Sequence, residues 1–116
     1  MATKSDVLLV TKKGSEVFEK ALLATKGNDG YMPGIFIGGD IAELNWSYVV
    51  WYNNPVVKAV KSIVREATDE EKEPVLFLEL REDGYSEEIY NQLGMEKFGS
   101  DYEIVSRIST PRGFME

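Results

Sequence analysis

The side chains that could carry chemistry in this chain are carboxylates, tyrosines, serines and lysines, because it contains neither histidine nor cysteine. The usual general base, the usual metal ligand and a member of most nucleophilic triads are therefore absent. Glu79 and Glu82 follow an apolar run and are candidate carboxylate bases, although Glu79 equally fits a strand-end residue that reaches solvent. The acidic segment 69–73 lacks the alternating ligand spacing of a calcium loop, so no metal site is expected.

A second group of candidate residues is the aromatic cluster in 46–52. If this segment is a strand, Trp46, Tyr48 and Tyr52 lie on one face and Trp51 lies on the other. Exposed members would anchor a protein interface or stack on a planar ligand. Packed members would belong to the core beneath the helices, which is the more common place for such residues.

The charge of the chain points to a class of partner. Twenty acidic and thirteen basic residues give a formal net charge of -7, which repels a phosphate backbone. We therefore expect no nucleic-acid binding, and a basic protein partner is the electrostatic alternative, although solubility alone also explains an acidic surface. No apolar run is long enough to cross a bilayer and residues 1–6 are too polar to begin a secretory signal, so we expect a cytoplasmic location without membrane attachment.

Length and composition set the size of the fold. At 116 residues, 43% of them hydrophobic, the chain has room for one domain, 1–116, with a substantial core. The unbroken apolar run 75–78 predicts a central strand that is covered on both faces. Strands are predicted at 6–12, 35–37, 46–52, 75–80 and 102–109, and 110–116 is predicted to be a flexible tail.

Three helices are predicted from their start signals. Ser15, Asn54 and Ser86 can each accept hydrogen bonds from the first free N–H groups of a helix, and Pro55 fits a first helical turn. Gly94 is expected to close the third helix in a left-handed conformation. The predicted fold class is α+β: a single domain with a mixed β-sheet flanked by three helices, in the order β-α-β-β-α-β-α-β.

Two known arrangements fit this order. The first six elements have the order of a ferredoxin-like βαββαβ motif, with the last helix and strand as an extension. In the last five elements, a strand ending in Leu78-Glu79-Leu80 is followed by Tyr90-x-x-Leu93-Gly94. This segment, 46–108, resembles the C-terminal half of the GNAT N-acetyltransferase superfamily, where a strand ending like LEV precedes a helix carrying Y-x-x-L-G-F-E.

The resemblance implies an acyl-CoA-dependent N-acyltransferase with acetyl-CoA as its cofactor. It implies that Tyr90 protonates the departing CoA thiolate, and Glu79 is the accompanying candidate base. It also implies that strand 46–52 splays from its neighbour to admit the pantetheine arm, and that the next helix N-terminus binds the pyrophosphate. The cofactor segment stands where the family has R/Q-x-x-G-x-G/A, and it contributes Tyr52, Asn53, Asn54, Val56 and Val57.

Three functions are open on the sequence alone. The first is a GNAT-like N-acyltransferase or a degenerate noncatalytic relative, and it depends on the resemblance. The second is a small acidic protein that inhibits or regulates a basic protein partner, and it depends on the net charge and the missing catalytic residue types. The third is a binder of a small planar or anionic ligand. The sequence leaves the substrate, the partner and the oligomeric state open.

Overall fold

Five strands form one antiparallel sheet at the centre of the fold, and three short strands form a second sheet beside it. The computed structural model describes residues 3–51 and 54–115. In chain order the elements are β1 (Ser5–Lys12), α1 (Glu16–Thr25), a 3-10 turn (Asp29–Tyr31), β2 (Gly34–Gly38), β3 (Ile41–Val49), α2 (Pro55–Glu70), β4 (Val75–Arg81), β5 (Ser86–Tyr90), α3 (Gln92–Phe98), β6 (Glu103–Ile104), β7 (Ile108–Thr110) and β8 (Gly113–Phe114).

The strand order of the large sheet is β2-β3-β1-β4-β5. Its first four strands, with α1 and α2 as connections, have the predicted order of the ferredoxin-like βαββαβ motif, and β5 extends the sheet beside β4. The α+β class and the three helices are confirmed. Every described pairing is antiparallel, whereas we predicted a mixed sheet. The difference arises because β5 returns from β4 through a tight turn at Gly84.

Two hydrophobic cores lie on opposite sides of this sheet. On one side, α1 and α2 pack on a core that includes Leu9 and Phe77. On the other side, a smaller core includes Leu76, Leu78 and Phe98 and joins the sheet to α3 and the small sheet. Successive residues of β4 point to alternate sides, so the apolar run 75–78 is covered on both faces, as predicted.

Two of the three predicted helix starts are confirmed. The Ser15 hydroxyl accepts hydrogen bonds from the first turn of α1, and Asn54 Oδ1 accepts one from Val56 N at 2.8 Å. The third prediction was wrong: Ser86 begins strand β5, and α3 begins at Gln92 after the cap residue Asn91. A small polar residue followed by two glutamates fits an exposed edge strand as well as a helix start, and here pairing with β4 decides.

Three further predicted boundaries differ from the structure. Gly94 lies inside α3 and outside the left-handed region, so it does not close the helix. Of the predicted strand 46–52, residues 46–49 form the end of β3, residues 50 and 51 follow the strand, and Tyr52 lies outside the described residues. The predicted strand 102–109 is divided into β6 and β7 by a bend. The predicted tail 110–116 contains β8 and the buried Met115; its flexibility stays a prediction, and Glu116 lies outside the described residues.

The small sheet is tied to the large one by a buried carboxylate. Glu43 on β3 is 1% exposed and accepts two hydrogen bonds from the Arg112 guanidinium, at 3.1 Å and 2.6 Å. The Tyr102 hydroxyl donates to the same carboxylate at 2.5 Å. Burial and the Glu43 carboxylate together raise the pKa of Tyr102 above its ordinary value, because both disfavour the phenolate.

This raised pKa predicts alkaline sensitivity. The folded state holds the Tyr102 proton more tightly than the unfolded chain, so this stabilisation is complete below about pH 10 and is lost as the pH rises further. Above that pH, the free energy of unfolding of the parent protein should fall by up to about 1.4 kcal/mol more per pH unit than that of Tyr102→Phe. Urea unfolding of both proteins at pH 9 and pH 11 measures it, with the exposed Tyr48→Phe as the control. The same pH dependence in Tyr102→Phe and the parent protein would contradict the assignment.

Candidate functional site

The candidate base Glu79 lies in the interior of the helix–sheet interface. Its side chain is 2% exposed, so it is not a strand-end residue that reaches solvent. The Ser5 hydroxyl donates to Glu79 Oε2 at 3.0 Å, and Lys61 Nζ lies 3.5 Å from Oε1. The same lysine lies closer to Glu87, at 2.8 Å, so its stronger contact is with the partly exposed carboxylate. Glu79 is thus an ion-paired interior group, and its catalytic role stays a prediction.

The candidate acid Tyr90 is separated from Glu79 by the sheet itself. Tyr90 ends β5 opposite Leu76, which belongs to the core beneath α3, whereas Glu79 faces α2. The resemblance places Tyr90 and Leu93 on one helix. In the structure Tyr90 ends the strand β5 and Leu93 lies in α3, so the two do not share a helical face. The structure therefore does not bring the two predicted catalytic side chains together.

The predicted cofactor segment lies at the far end of α2 from Tyr90. Asn54 caps the start of this 16-residue helix, which spans about 24 Å, and Tyr90 lies beside the start of β4, the strand that follows the helix end. Val56 and Val57 are buried in the core. Tyr52 and Asn53 lie outside the described residues. Binding of acetyl-CoA at this segment stays a prediction.

The aromatic cluster is divided between core and surface. Trp46 and Trp51 are both buried with ring centroids 4.9 Å apart, and Trp46 Nε1 donates to the Tyr31 carbonyl at 2.8 Å. Tyr48 is exposed because a bulge places two residues of β3 opposite Asp6, and its backbone adopts a φ of 55°. The predicted simple alternation along 46–52 was therefore wrong, and no aromatic stacking platform forms among the described members.

One surface feature that could bind a partner is a groove between α1 and α2, about 280 Å³ in volume. We call it the acidic groove. Its floor is apolar and comes from Val17, Ile63 and Ala67. Its rim carries four glutamates and two lysines: Glu16, Glu66, Glu70, Glu73, Lys20 and Lys72.

Local folding explains how the rim is held in place. The Ser15 hydroxyl that caps α1 also forms a hydrogen bond with Glu73, so the start of α1 is attached to the connection between α2 and β4. Glu70 forms an ion pair with Lys72 at 2.9 Å, and this lysine lowers the pKa of Glu70. Glu70 therefore remains ionised at neutral pH.

The acidic groove lies at the end of α2 where negative charge is least favourable. The C-terminal end of a helix carries a partial negative charge that favours cations. The last five residues of α2 include Glu66, Asp69 and Glu70 and contain no basic residue. Carboxylates at this end oppose helix stability, and Lys72 offsets this effect for Glu70.

Sequence reasoning assigned these groove residues to other roles. Val17, Ile63 and Ala67 fit buried helix stripes, and 69–73 fits a solvated acidic turn. The helix instead continues to Glu70, and the apolar stripes separate enough to leave a groove. Two sequence features could have indicated the groove. The last turn of α2 is acidic and contains no basic residue, and the first turn of α1 is also acidic.

Within 3–51 and 54–115 there is no group of three or more acidic side chains placed to hold a metal ion. No helix in the described part of the chain combines the length and apolar character of a membrane span. Comparison with protein-family models, curated proteins and solved structures finds no match.

Proposed function

We propose that this chain is a small noncatalytic acidic protein that regulates a protein partner by binding a basic segment of it in the acidic groove. The observation that carries this proposal is the combination of an apolar floor with a rim of four glutamates and two lysines, in which Glu66 and Glu70 lie at an unfavourable helix end. The absence of histidine and cysteine and the separation of Tyr90 from Glu79 support a noncatalytic role.

The chemistry of the groove selects lysine or arginine side chains. Both have a long apolar stem and a charged head, so the stem can cover apolar surface while the head stays near water and carboxylates. The floor at Val17 and Ile63 matches the stem, and the rim carboxylates of Glu66 and Glu73 match the head. An arginine would gain two parallel hydrogen bonds to one carboxylate, so we expect it to bind better than lysine.

The net charge of -7 adds long-range attraction to this local fit. Attraction between a negative protein and a positive segment accelerates encounter and is screened as salt is added. We therefore expect the association rate to fall steeply between ~50 mM and ~500 mM salt.

A charge-reversal variant tests the groove. We expect Glu66→Lys/Glu70→Lys to weaken binding of a labelled peptide of alternating arginine and glycine about tenfold or more, measured by fluorescence anisotropy. The same substitutions should leave stability unchanged or raise it, because lysine suits the C-terminal end of a helix. Weaker binding together with undiminished stability would show that Glu66 and Glu70 contribute to binding and are not required for folding.

A matched variant controls for total charge. Asp101→Lys/Glu103→Lys makes the same change in net charge on the exposed surface beside β6, away from α1 and α2. It should weaken peptide binding much less than the groove variant. Equal weakening by the two variants, or no peptide binding at low salt, would refute the proposal. A rise in melting temperature with millimolar acetyl-CoA would instead favour the acyltransferase interpretation.

A further inference from the structure

One edge of the large sheet is unprotected and symmetric in sequence. β2 (Gly34–Gly38) lies at this edge and, among the residues that the structure describes, pairs with β3 alone. Its residues are Gly-Ile-Phe-Ile-Gly, which reads the same in both directions. An edge strand leaves one row of backbone N–H and C=O groups free to pair with another strand.

The two edges of the sheet differ in how they resist such pairing. β5, at the opposite edge, carries Glu87 and Glu88, and charged side chains are a common protection against edge pairing. β2 carries no charge, no proline and no break in its register with β3. Ile35 and Ile37 are each 53% exposed, and they point to the helix side because their partners on β3 belong to that core.

We propose that β2 is a self-association strand, through which two copies of the chain pair antiparallel around a two-fold axis at Phe36. In this register Ile35 of each copy lies opposite Ile37 of the other, and Gly34 lies opposite Gly38. A two-fold interface uses the same surface on both copies and therefore requires a self-complementary patch, which the palindromic strand provides. The product is one continuous sheet across both copies.

Charge restricts the surface through which two copies can associate. Two proteins of charge -7 repel each other, so a stable contact between them needs a surface without acidic residues. β2 supplies such a surface, and the Arg112 guanidinium 3.7 Å from the Phe36 ring centroid is balanced by the Glu43 carboxylate, so the strand presents no net charge at the axis. The repulsion is long-range, so added salt should strengthen this dimer, whereas it should weaken binding in the acidic groove.

The exposed apolar area is suited to a weak dimer. Ile35, Ile37, Met32 and Leu23 are each more than half exposed. Ile35 and Ile37 lie on the same face of the edge strand, and exposed apolar side chains grouped in this way mark an interaction site on a monomer. A pair of five-residue strands falls at the low end of specific interfaces. We therefore expect a dimer that forms at micromolar or higher concentration.

Two double variants test both the surface and the register. In the proposed register, Ile35→Lys/Ile37→Lys places lysine opposite lysine twice, whereas Ile35→Lys/Ile37→Glu places lysine opposite glutamate twice. The first variant also makes the net charge less negative, from -7 to -5, so general repulsion alone would make it associate more. Both side chains are half exposed, so each variant is expected to fold, and circular dichroism is the measurement that checks it.

Sedimentation equilibrium of the full chain from ~10 µM to ~1 mM gives the result. We expect the parent protein and the lysine–glutamate variant to dimerise, with more dimer at ~500 mM than at ~50 mM salt, and the lysine–lysine variant to dimerise at least tenfold more weakly. Amide exchange at Ile35 to Ile37 should slow as the parent protein is concentrated. A parent protein that stays monomeric in high salt, or two variants that behave alike, would overturn the proposal without affecting the groove assignment.

Discussion

Replacing Gly94 with alanine is expected to destabilise the protein by roughly 3 kcal/mol or more, because α3 approaches the backbone of β4 at this residue. A Cβ atom at Gly94 would overlap the Val75 carbonyl oxygen and lie 2.7 Å from its carbonyl carbon. Neither is the end of a flexible side chain, so α3 would have to move away from the sheet. Phe98, fully buried on the same helix, would then lose part of its packing.

The same movement would break a buried hydrogen-bond network around Asn91. Asn91 Oδ1 accepts from Val75 N at 3.1 Å and from Gly94 N at 2.7 Å, and its amide donates to the Glu73 carbonyl at 2.6 Å. Buried polar groups that lose their partners add their desolvation cost to the lost packing. The expected effect is therefore larger than that of a clash at a loop.

Urea unfolding at neutral pH measures the effect, with an unchanged slope showing that the same surface is exposed on unfolding. Gly30→Ala is the matched control, since a Cβ there meets no atom within 4 Å and its φ is not positive. That variant should change stability by less than about 0.5 kcal/mol. A similarly small loss in Gly94→Ala would mean that α3 does not pack closely on β4.

The role of Gly94 is set by a tertiary contact that the sequence alone does not predict. The sequence predicted β4, α1 and α2 correctly because their signals are local: an unbroken apolar run, a capping serine and an Asn-Pro helix start. A glycine near a helix end is usually a terminator, and its actual use here depends on a carbonyl 19 residues earlier in the chain. Such a contact is set by how α3 lies on the sheet, which local patterns do not encode.

The strand β5 was missed for a related reason. Ser86 and the two glutamates after it suit a helix start and an exposed edge strand equally, and the pairing of Glu87 with Glu79 is decided by the hairpin turn and by β4. Lys61 lies between these two carboxylates and offsets their repulsion. A compensating charge from α2 is a tertiary contact, so the sequence-based prediction of a helix at Ser86 could not take it into account.

The acidic groove was likewise only partly predictable. Its charges were visible as acidic segments, and Ile63 and Ala67 were recognised as apolar positions on one side of a helix. What the sequence did not contain was the separation of α1 and α2, which determines whether these side chains close over each other or leave a gap. The sequence therefore predicts core positions for Ile63 and Ala67, whereas the packing of α1 and α2 leaves them in the floor of a groove.

The second large effect is expected at the buried carboxylate of Glu43. Arg112→Met should lower the free energy of unfolding by about 3 kcal/mol, because it removes two hydrogen bonds and the balancing charge from a side chain that is 1% exposed. The estimate is at the low end for a buried pair since the Arg112 side chain is itself 44% exposed. Methionine keeps the apolar stem, so the loss of packing is small.

A surface pair provides the matched comparison. Arg65 lies 3.3 Å from Glu87 and its side chain is 57% exposed, so Arg65→Met should cost less than about 1 kcal/mol. Urea unfolding of both variants at low and high salt separates the two cases, because screening weakens an exposed ion pair more than a buried one. Equal losses in the two variants would show that Glu43 is not effectively buried.

Removing the whole buried cluster should restore much of the lost stability. The triple variant Glu43→Leu/Tyr102→Phe/Arg112→Met eliminates the carboxylate, the hydroxyl that donates to it and the guanidinium together. No buried charge then lacks a partner, and replacing a complete buried ion pair by apolar residues is often close to neutral. The triple variant should therefore be more stable than Arg112→Met alone. If it is less stable, the hydrogen bonds of Glu43 contribute more to the attachment of the small sheet than the cost of burying its charge.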